Sequence, residues 1–236
     1  MSFDPSFMWT AFLSLFQALP TTLLITAVSV IAGFVIGGVV ALSRIYRIPV
    51  LAQLSAAYVT FVRGTPMLMH LLLIYFGLPL LIDGIAKALG SSFTSASIPL
   101  IGFACIAFSI TAGAYMSEVV RAGILAVDRG QIEAAHSIGM TTPQALRRIV
   151  FPQALAVSLP NLSNSVIGML HGSTLAYTIS VVEINAQAQV VAADNWKYFE
   201  AYVAAALLFW GLTVLIERLS GWLEYRLNSF QRGGAL

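Results

Sequence analysis

The sequence predicts an all-α integral membrane protein with about five transmembrane helices, N-terminus outside and C-terminus inside, joined on the inner side by a helix-turn-helix loop. Composition gives the first reason. Of 236 residues, 58% are hydrophobic and 9% charged, whereas a soluble domain carries roughly a quarter charged residues. So few charges cannot cover a water-facing surface, and the apolar surface must face lipid. The second reason is the spacing of uncharged stretches, since a spanning helix needs about 20 mostly apolar residues. The third is the distribution of arginine and lysine.

The first uncharged stretch runs from Pro5 to Ser43 and is most apolar over Thr22–Leu42. The second is Gly64–Ile82. The third is Ala88–Ser117, apolar from Ile98. The fourth is Ile149–Val182 and the fifth Ala201–Ile216. The first and fourth are long enough to contain an additional interfacial or broken helix. Orientation follows from the basic residues. With the N-terminus outside, Arg44, Arg47, Arg63, Arg121, Arg129, Arg147, Arg148, Arg218, Arg226 and Arg232 fall on or near the inner side, and only Lys87 and Lys197 fall outside. Residues 1–18 read as an outer or interfacial segment, 19–219 as the membrane domain and 220–236 as an inner tail. No Lys or Arg precedes Arg44, so the start does not read as a cleaved signal peptide.

The single cysteine, Cys105, excludes an internal disulfide framework and reads as a packing residue. A net charge of +2 gives no reason to invoke nucleic acid. Gly33, Gly37 and Ala41 stand four residues apart, which lets two helices approach closely in lipid. That stripe suits internal packing or contact with a second copy.

The longest inner loop, Asp128 to Pro152, has the composition of two short helices and a tight turn. Gln131–Ile138 contains helix formers, and Gly139 suits the left-handed residue that ends a helix. Thr142 before Pro143 reads as an N-cap with proline in the first turn. Leu146, Ile149 and Val150 fall on one face while Arg147 and Arg148 stay in water. Ala134, Ala135 and Gly139 form a face of little bulk that suits a groove on another protein.

These residues carry a resemblance. Glu133-Ala134-Ala135, Gly139 four positions on, then Ile149-x-Phe151-Pro152 resembles the EAA loop of ABC-importer permeases, with Phe151 in place of leucine. Phe61-Val62-Arg63-Gly64-Thr65-Pro66, Ala114-Tyr115-Met116-Ser117-Glu118 with Arg121, Pro160-Asn161-Leu162-Ser163-Asn164 and Thr174-Leu175 resemble segments of the polar amino acid branch. The likeness covers about Leu19 to Leu219. It implies a bacterial cytoplasmic (inner) membrane location. It also implies a second permease subunit, identical or homologous, and a cytoplasmic ABC ATPase dimer docked on the loop through Glu133, Ala134, Ala135, Gly139, Ile149 and Pro152. A solute-binding protein would deliver a polar amino acid from outside. The chain has no phosphate-binding G-x-x-x-x-G-K-[ST] loop. ATP and Mg²⁺ would therefore belong to the partner, with no cofactor on this chain.

Polar groups inside spans tend to mark a pathway. The candidates are His70 and Tyr75 in the second span, Ser109, Thr111 and Tyr115 in the third, and Asn161, Asn164, His171 and Ser173 in the fourth. Arg63, Glu118 and Arg121 read as a charge network at the inner ends of their spans. His171-Gly172-Ser173 departs from the relatives' lysine-containing triplet, which argues against an obligatory cation there. Val181–Glu183 and Phe199–Tyr202 look similar to the sulfur amino acid (cystine) subgroup; glutamine, arginine and histidine are the alternatives. An ion-coupled secondary transporter would show internal repeats, and none is visible. A membrane hydrolase would need Ser109, Ser163 or Ser173 beside His70 or His171, and no spacing demands it.

Overall fold

The computed structural model of the chain describes residues 3–232, and side chains as far as residue 227. Helices account for the regular structure, with no strand among the described residues. Four of them are long and apolar enough to cross a membrane, or five if one bent pair is counted as a single span. Their outer faces are oily: Leu80 is 76% exposed, Ile31 66% and Trp210 66%. Only lipid or another apolar protein surface can cover such a surface stably.

The long first stretch holds two helices. α1 (Pro5–Leu15) begins where Asp4 accepts from the amides of Ser6 and Phe7, with proline in the first turn. α2 (Leu19–Ile45) is the first span. A short amphipathic helix, α3 (Leu51–Arg63), follows. It buries Ser55, Val59 and Val62 against α2 and the third span. Gly64-Thr65-Pro66 then breaks the chain, because proline has no amide to donate and disfavours helix before it. α4 (Met67–Ala88) is the second span, and α5 (Leu100–Leu125) the third.

α2 and α5 form the centre of the molecule. A methyl group added at Gly33 would stand 2.4 Å from the Cβ of Ala112, and one at Gly37 would stand 2.8 Å from the backbone nitrogen of Ser117. Ala41 is fully buried. The small-residue stripe therefore packs inside this chain, and in lipid such close backbone approach is a main source of helix association.

The inner loop forms α6 (Arg129–Ser137) and α7 (Thr142–Ala145), and a π turn (Leu146–Val150) leads into α8 (Phe151–Gly172). The fourth stretch is broken, as its length allowed. After α8 comes a 3₁₀ segment (Ser173–Ile179), a left-handed Ser180 and a bent helix, α9 (Ile184–Ala193). The first amides of α9 do not go unpaired. Glu183, fully buried, accepts from Asn185 and Ala186, and Thr22 of α2 accepts from Ile184 at 3.1 Å.

α10 (Tyr198–Arg232) is the last span and continues well past Ile216. The inner tail placed at 220–236 is thus helical to Arg232; residues 233–236 lie outside the described residues. α1 packs on α9 and α10 through Ala11, Leu15, Ile184, Ala188 and Ala201.

The start of α1 is tied to α10. Lys197 donates to Asp4, and Glu200 accepts from the Asp4 amide at 3.1 Å. The lysine, Ser6 and the Phe7 amide hold the Asp4 carboxyl well below the ordinary carboxylate range. A depressed acid contributes stability above its unfolded pKa, about 3.9, and that contribution is lost as pH falls toward the folded value. Hydrogen-exchange protection of residues 6–15, taken relative to the intrinsic rate at each pH, should therefore be level from pH 7 to about 4 and fall below that. Asp4→Asn keeps a capping side chain but should lower protection from pH 7 to about 4, the two proteins converging at lower pH. Equal protection in both proteins at pH 7 would refute the tie.

Candidate functional site

Two features stand out: the inner loop and a groove between spans that carries a few polar side chains. The loop is well determined by local chemistry. α6 starts at Asp128, whose carboxylate accepts from the Gly130 amide at 2.6 Å. It ends at Gly139 with φ +80°. There the Gly139 amide donates to the His136 carbonyl and the Met140 amide to the Ala135 carbonyl, each at 3.0 Å. This pairing closes a helix end with a left-handed residue, a conformation that glycine adopts without penalty. His136 adds a bond from Nδ1 to the Met140 carbonyl at 3.0 Å.

The cap of α7 is Thr141, one residue before the expected Thr142. The Gln144 side chain reaches back to the Thr141 amide at 2.9 Å, so Pro143 sits one position further into the first turn. The π turn has a cause in Pro152. Proline offers no amide to the turn before it, and the Phe151 amide instead reaches five residues back to Leu146.

Val150, fully buried, with Leu146 and Ile132 packs on Val127, Ala154 and Ile124, anchoring the loop to the end of α5. Ile149 is half-buried, and Pro152 is exposed. Glu133, Ala134 and Gly139 are exposed as expected, but Ala135 is 1% exposed and faces this chain. The outward surface instead gains Ile138, 75% exposed beside Gly139. Reading it as the last residue of a helix had hidden that role.

The groove lies between α4, α5 and α8, has a volume of about 410 Å³ and is lined by Met67, Thr111, Tyr115, Asn164, Ser165 and Gly168, among others. Of the nine polar candidates, three line it: Thr111, Tyr115 and Asn164. His70 stands behind them. Buried and 5% exposed, it bonds Thr111 through Nδ1 at 2.9 Å and Thr65 through Nε2 at 2.7 Å. Thr65 donates to the Phe61 carbonyl and so accepts from Nε2–H. In a neutral ring Nδ1 is then an acceptor, and the single Thr111 proton is shared between it and the Ala107 carbonyl. His70 therefore ties the break before α4 to the groove wall rather than lining the groove.

The remaining candidates go elsewhere. Tyr75 packs edge-on against Phe103 in an apolar cluster. The Ser109 hydroxyl donates to the Cys105 carbonyl one turn back in α5, and Ser173, at the start of the 3₁₀ segment, to that of Leu170 near the end of α8. His171 meets Thr213 of α10 at 3.1 Å, with Phe209 alongside. Asn161 is exposed on the Asn164 side of α8, a turn nearer the inner loop. Among the described residues neither His70 nor His171 bonds Ser109, Ser163 or Ser173, so no nucleophile–base pair forms.

The charge network exists with one member changed. Glu118 binds Arg44 of α2 and, in a fork of 2.8 and 3.1 Å, Arg121 of its own helix. Arg63 is not part of it. Its guanidinium stands 5.7 Å from the centre of the Tyr115 ring, at the edge of the groove. Arg44 was missed because 74 residues separate it from Glu118.

Known proteins share this arrangement. Residues 29–229 match the model of the family described as binding-protein-dependent transport system inner membrane component. The chain is 38% identical over 228 residues to PatM of Vibrio harveyi, named a probable amino-acid ABC transporter permease protein, covering 97% of this chain and 98% of that one. It is 38% identical over 200 residues to TcyL of Bacillus subtilis, named an L-cystine transport system permease protein, covering 84% and 81%. A solved amino acid ABC transporter with histidines superimposes with a TM-score of 0.80 at 33% identity, covering 96% of this chain and all of that one. With the spans, the loop and the groove in place, the chain belongs to the family of binding-protein-dependent transport system inner membrane components, as an amino-acid ABC transporter permease.

Proposed function

We propose that this chain and a second permease subunit form the path by which a polar amino acid, L-cystine or a related sulfur amino acid first, crosses the bacterial inner membrane. Substrate arrives on an outer solute-binding protein. A cytoplasmic ATPase dimer, holding ATP and Mg²⁺, docks on Glu133, Ala134, Ile138 and Gly139. One observation carries the coupling: the loop continues through the π turn into α8, and α8 carries Asn164 into the groove. The fourteen helical residues from Phe151 to Asn164, thirteen steps of rise, span about 20 Å. α8 is helical over the whole of that length, Pro160 included, so a push on its inner end is carried toward the groove wall. ATP-bound and ATP-free partners must hold the loop differently for this to work, because a driver shifts an equilibrium only by its differential affinity. The groove offers a phenol, a hydroxyl and an amide, and a polar solute crossing lipid needs such partners.

The cystine assignment is supported by the likeness to TcyL and by Val181–Glu183 and Phe199–Tyr202; glutamine, arginine and histidine are the alternatives. The test is uptake of labelled L-cystine by cells with and without this gene, under competition by unlabelled amino acids. The expected result is uptake that requires the gene and falls about tenfold with Asn164→Leu, the size of effect that follows from losing a desolvated polar contact. Gene-independent cystine uptake would end the cystine assignment and move the screen to the other three amino acids. Full uptake by Asn164→Leu would end the groove assignment.

A further inference from the structure

The groove lining contains no acidic or basic side chain, yet every free amino acid brings a carboxylate. A carboxylate that leaves water needs a cation or several N–H donors. The arginines near the inner ends of α2, α3 and α5 divide into two kinds. Arg44 and Arg121 are both bound to Glu118. Arg63 pairs with no carboxylate among the described residues. It ends α3, four residues before the lining residue Met67, and its guanidinium lies over the ring of Tyr115, a groove wall. A guanidinium held on an aromatic face keeps its N–H fork free for a carboxylate.

We propose that Arg63 is a specificity-determining residue that receives the α-carboxylate of the transported amino acid at the rim of the groove. The inference rests on the groove assignment above and narrows it. The substrate class is an amino acid with a free α-carboxylate, and its side chain needs no acidic partner, because no Asp or Glu lines the groove. An α-amide of the same amino acid is rejected, since it offers a neutral group to the cation.

The test uses the purified permease–ATPase complex in lipid nanodiscs, without the solute-binding protein, whose own preference would mask the permease's. The ligand is labelled L-cystine, or, if cells do not import cystine through this chain, the first of glutamine, arginine and histidine that they do. It is displaced by the same amino acid and by its α-amide, which for cystine is the diamide, with both carboxylates blocked. The wild-type complex should prefer the free acid by about tenfold or more. Arg63→Gln should bind both alike, and Arg63→Lys, which keeps the charge but not the fork, should lie between. If the glutamine variant assembles poorly, Arg63→Cys in a Cys105→Ala background substitutes for it: a cationic thiol reagent should restore the preference and a neutral one should not. An Arg63→Gln complex that still prefers the acid, while Asn164→Leu has lost binding, overturns the role of Arg63 and leaves the groove standing. Undiminished binding by both variants overturns the groove assignment, and this inference with it.

Discussion

Gly139→Asp is expected to leave the protein in the membrane at normal abundance and to cut transport by about tenfold or more, the loss that follows when a central contact of an interface is spoiled. The fold tolerates the change because nothing lies within 4 Å of where a Cβ would stand. The φ of +80° makes any other residue costly by about 1 kcal/mol, and aspartate is among the residues that bear it best. The damage is to the surface. Ile138 is exposed beside Gly139 and Glu133 is exposed on the same short helix, and a carboxylate at position 139 places a charge where an apolar tip should enter a cleft. Gly139→Asn separates the two effects, since it shares the backbone strain without the charge and should retain most of the uptake. The measurements are membrane abundance by immunoblot, substrate uptake, and recovery of the ATPase with the tagged permease. Full uptake by Gly139→Asp at normal abundance would remove this loop from the coupling mechanism.

The spans and the loop were legible in the sequence because both rest on short-range physics. Twenty uncharged residues have few alternatives to crossing lipid, and Gly139 or Pro152 constrains the backbone wherever it occurs. The separation of α1 from α2 was less visible. Phe16, Gln17 and Ala18 include no charge, glycine or proline, and only Asp4-Pro5 and Pro20 hinted at two starts. The groove was only partly legible, because a polar residue inside a span has a choice of partners. Ser109 and Ser173 turn back to carbonyls four and three residues earlier in the chain, an option open to any serine or threonine there. Thr111 makes the same bond and still lines the groove, because His70 meets it from behind. Which hydroxyl lines the groove is decided by neighbours 40 or more residues away. For the same reason the charge network was read with Arg63 in place of Arg44: both arginines end a helix, and only the packing of α2 on α5 shows which one meets Glu118.

That packing gives the other large effect. Gly37→Leu should prevent the protein from accumulating, or lower its thermal stability in detergent sharply, while the adjacent Gly38→Leu should do neither. A Cβ at Gly37 would stand 2.8 Å from the Ser117 nitrogen and 3.0 Å from the Gly113 oxygen. Both are backbone atoms of a helix that cannot turn aside as a side chain can, so α2 and α5 must separate. Overpacking a core commonly costs about 1–3 kcal/mol, and three further carbons against a rigid helix belong at or above the top of that range. Gly38 points the other way. Nothing lies within 4 Å of its Cβ position, and it lines an apolar hollow of about 310 Å³ with Phe34, Leu42 and Phe151, which a leucine can enter. The pair also tests where the small-residue stripe acts. If Gly37 served contact between two copies, its leucine variant would fold normally and shift the monomer–dimer balance in detergent. Internal packing predicts loss of the folded monomer itself, with the glycine one position along the chain indifferent to the same substitution.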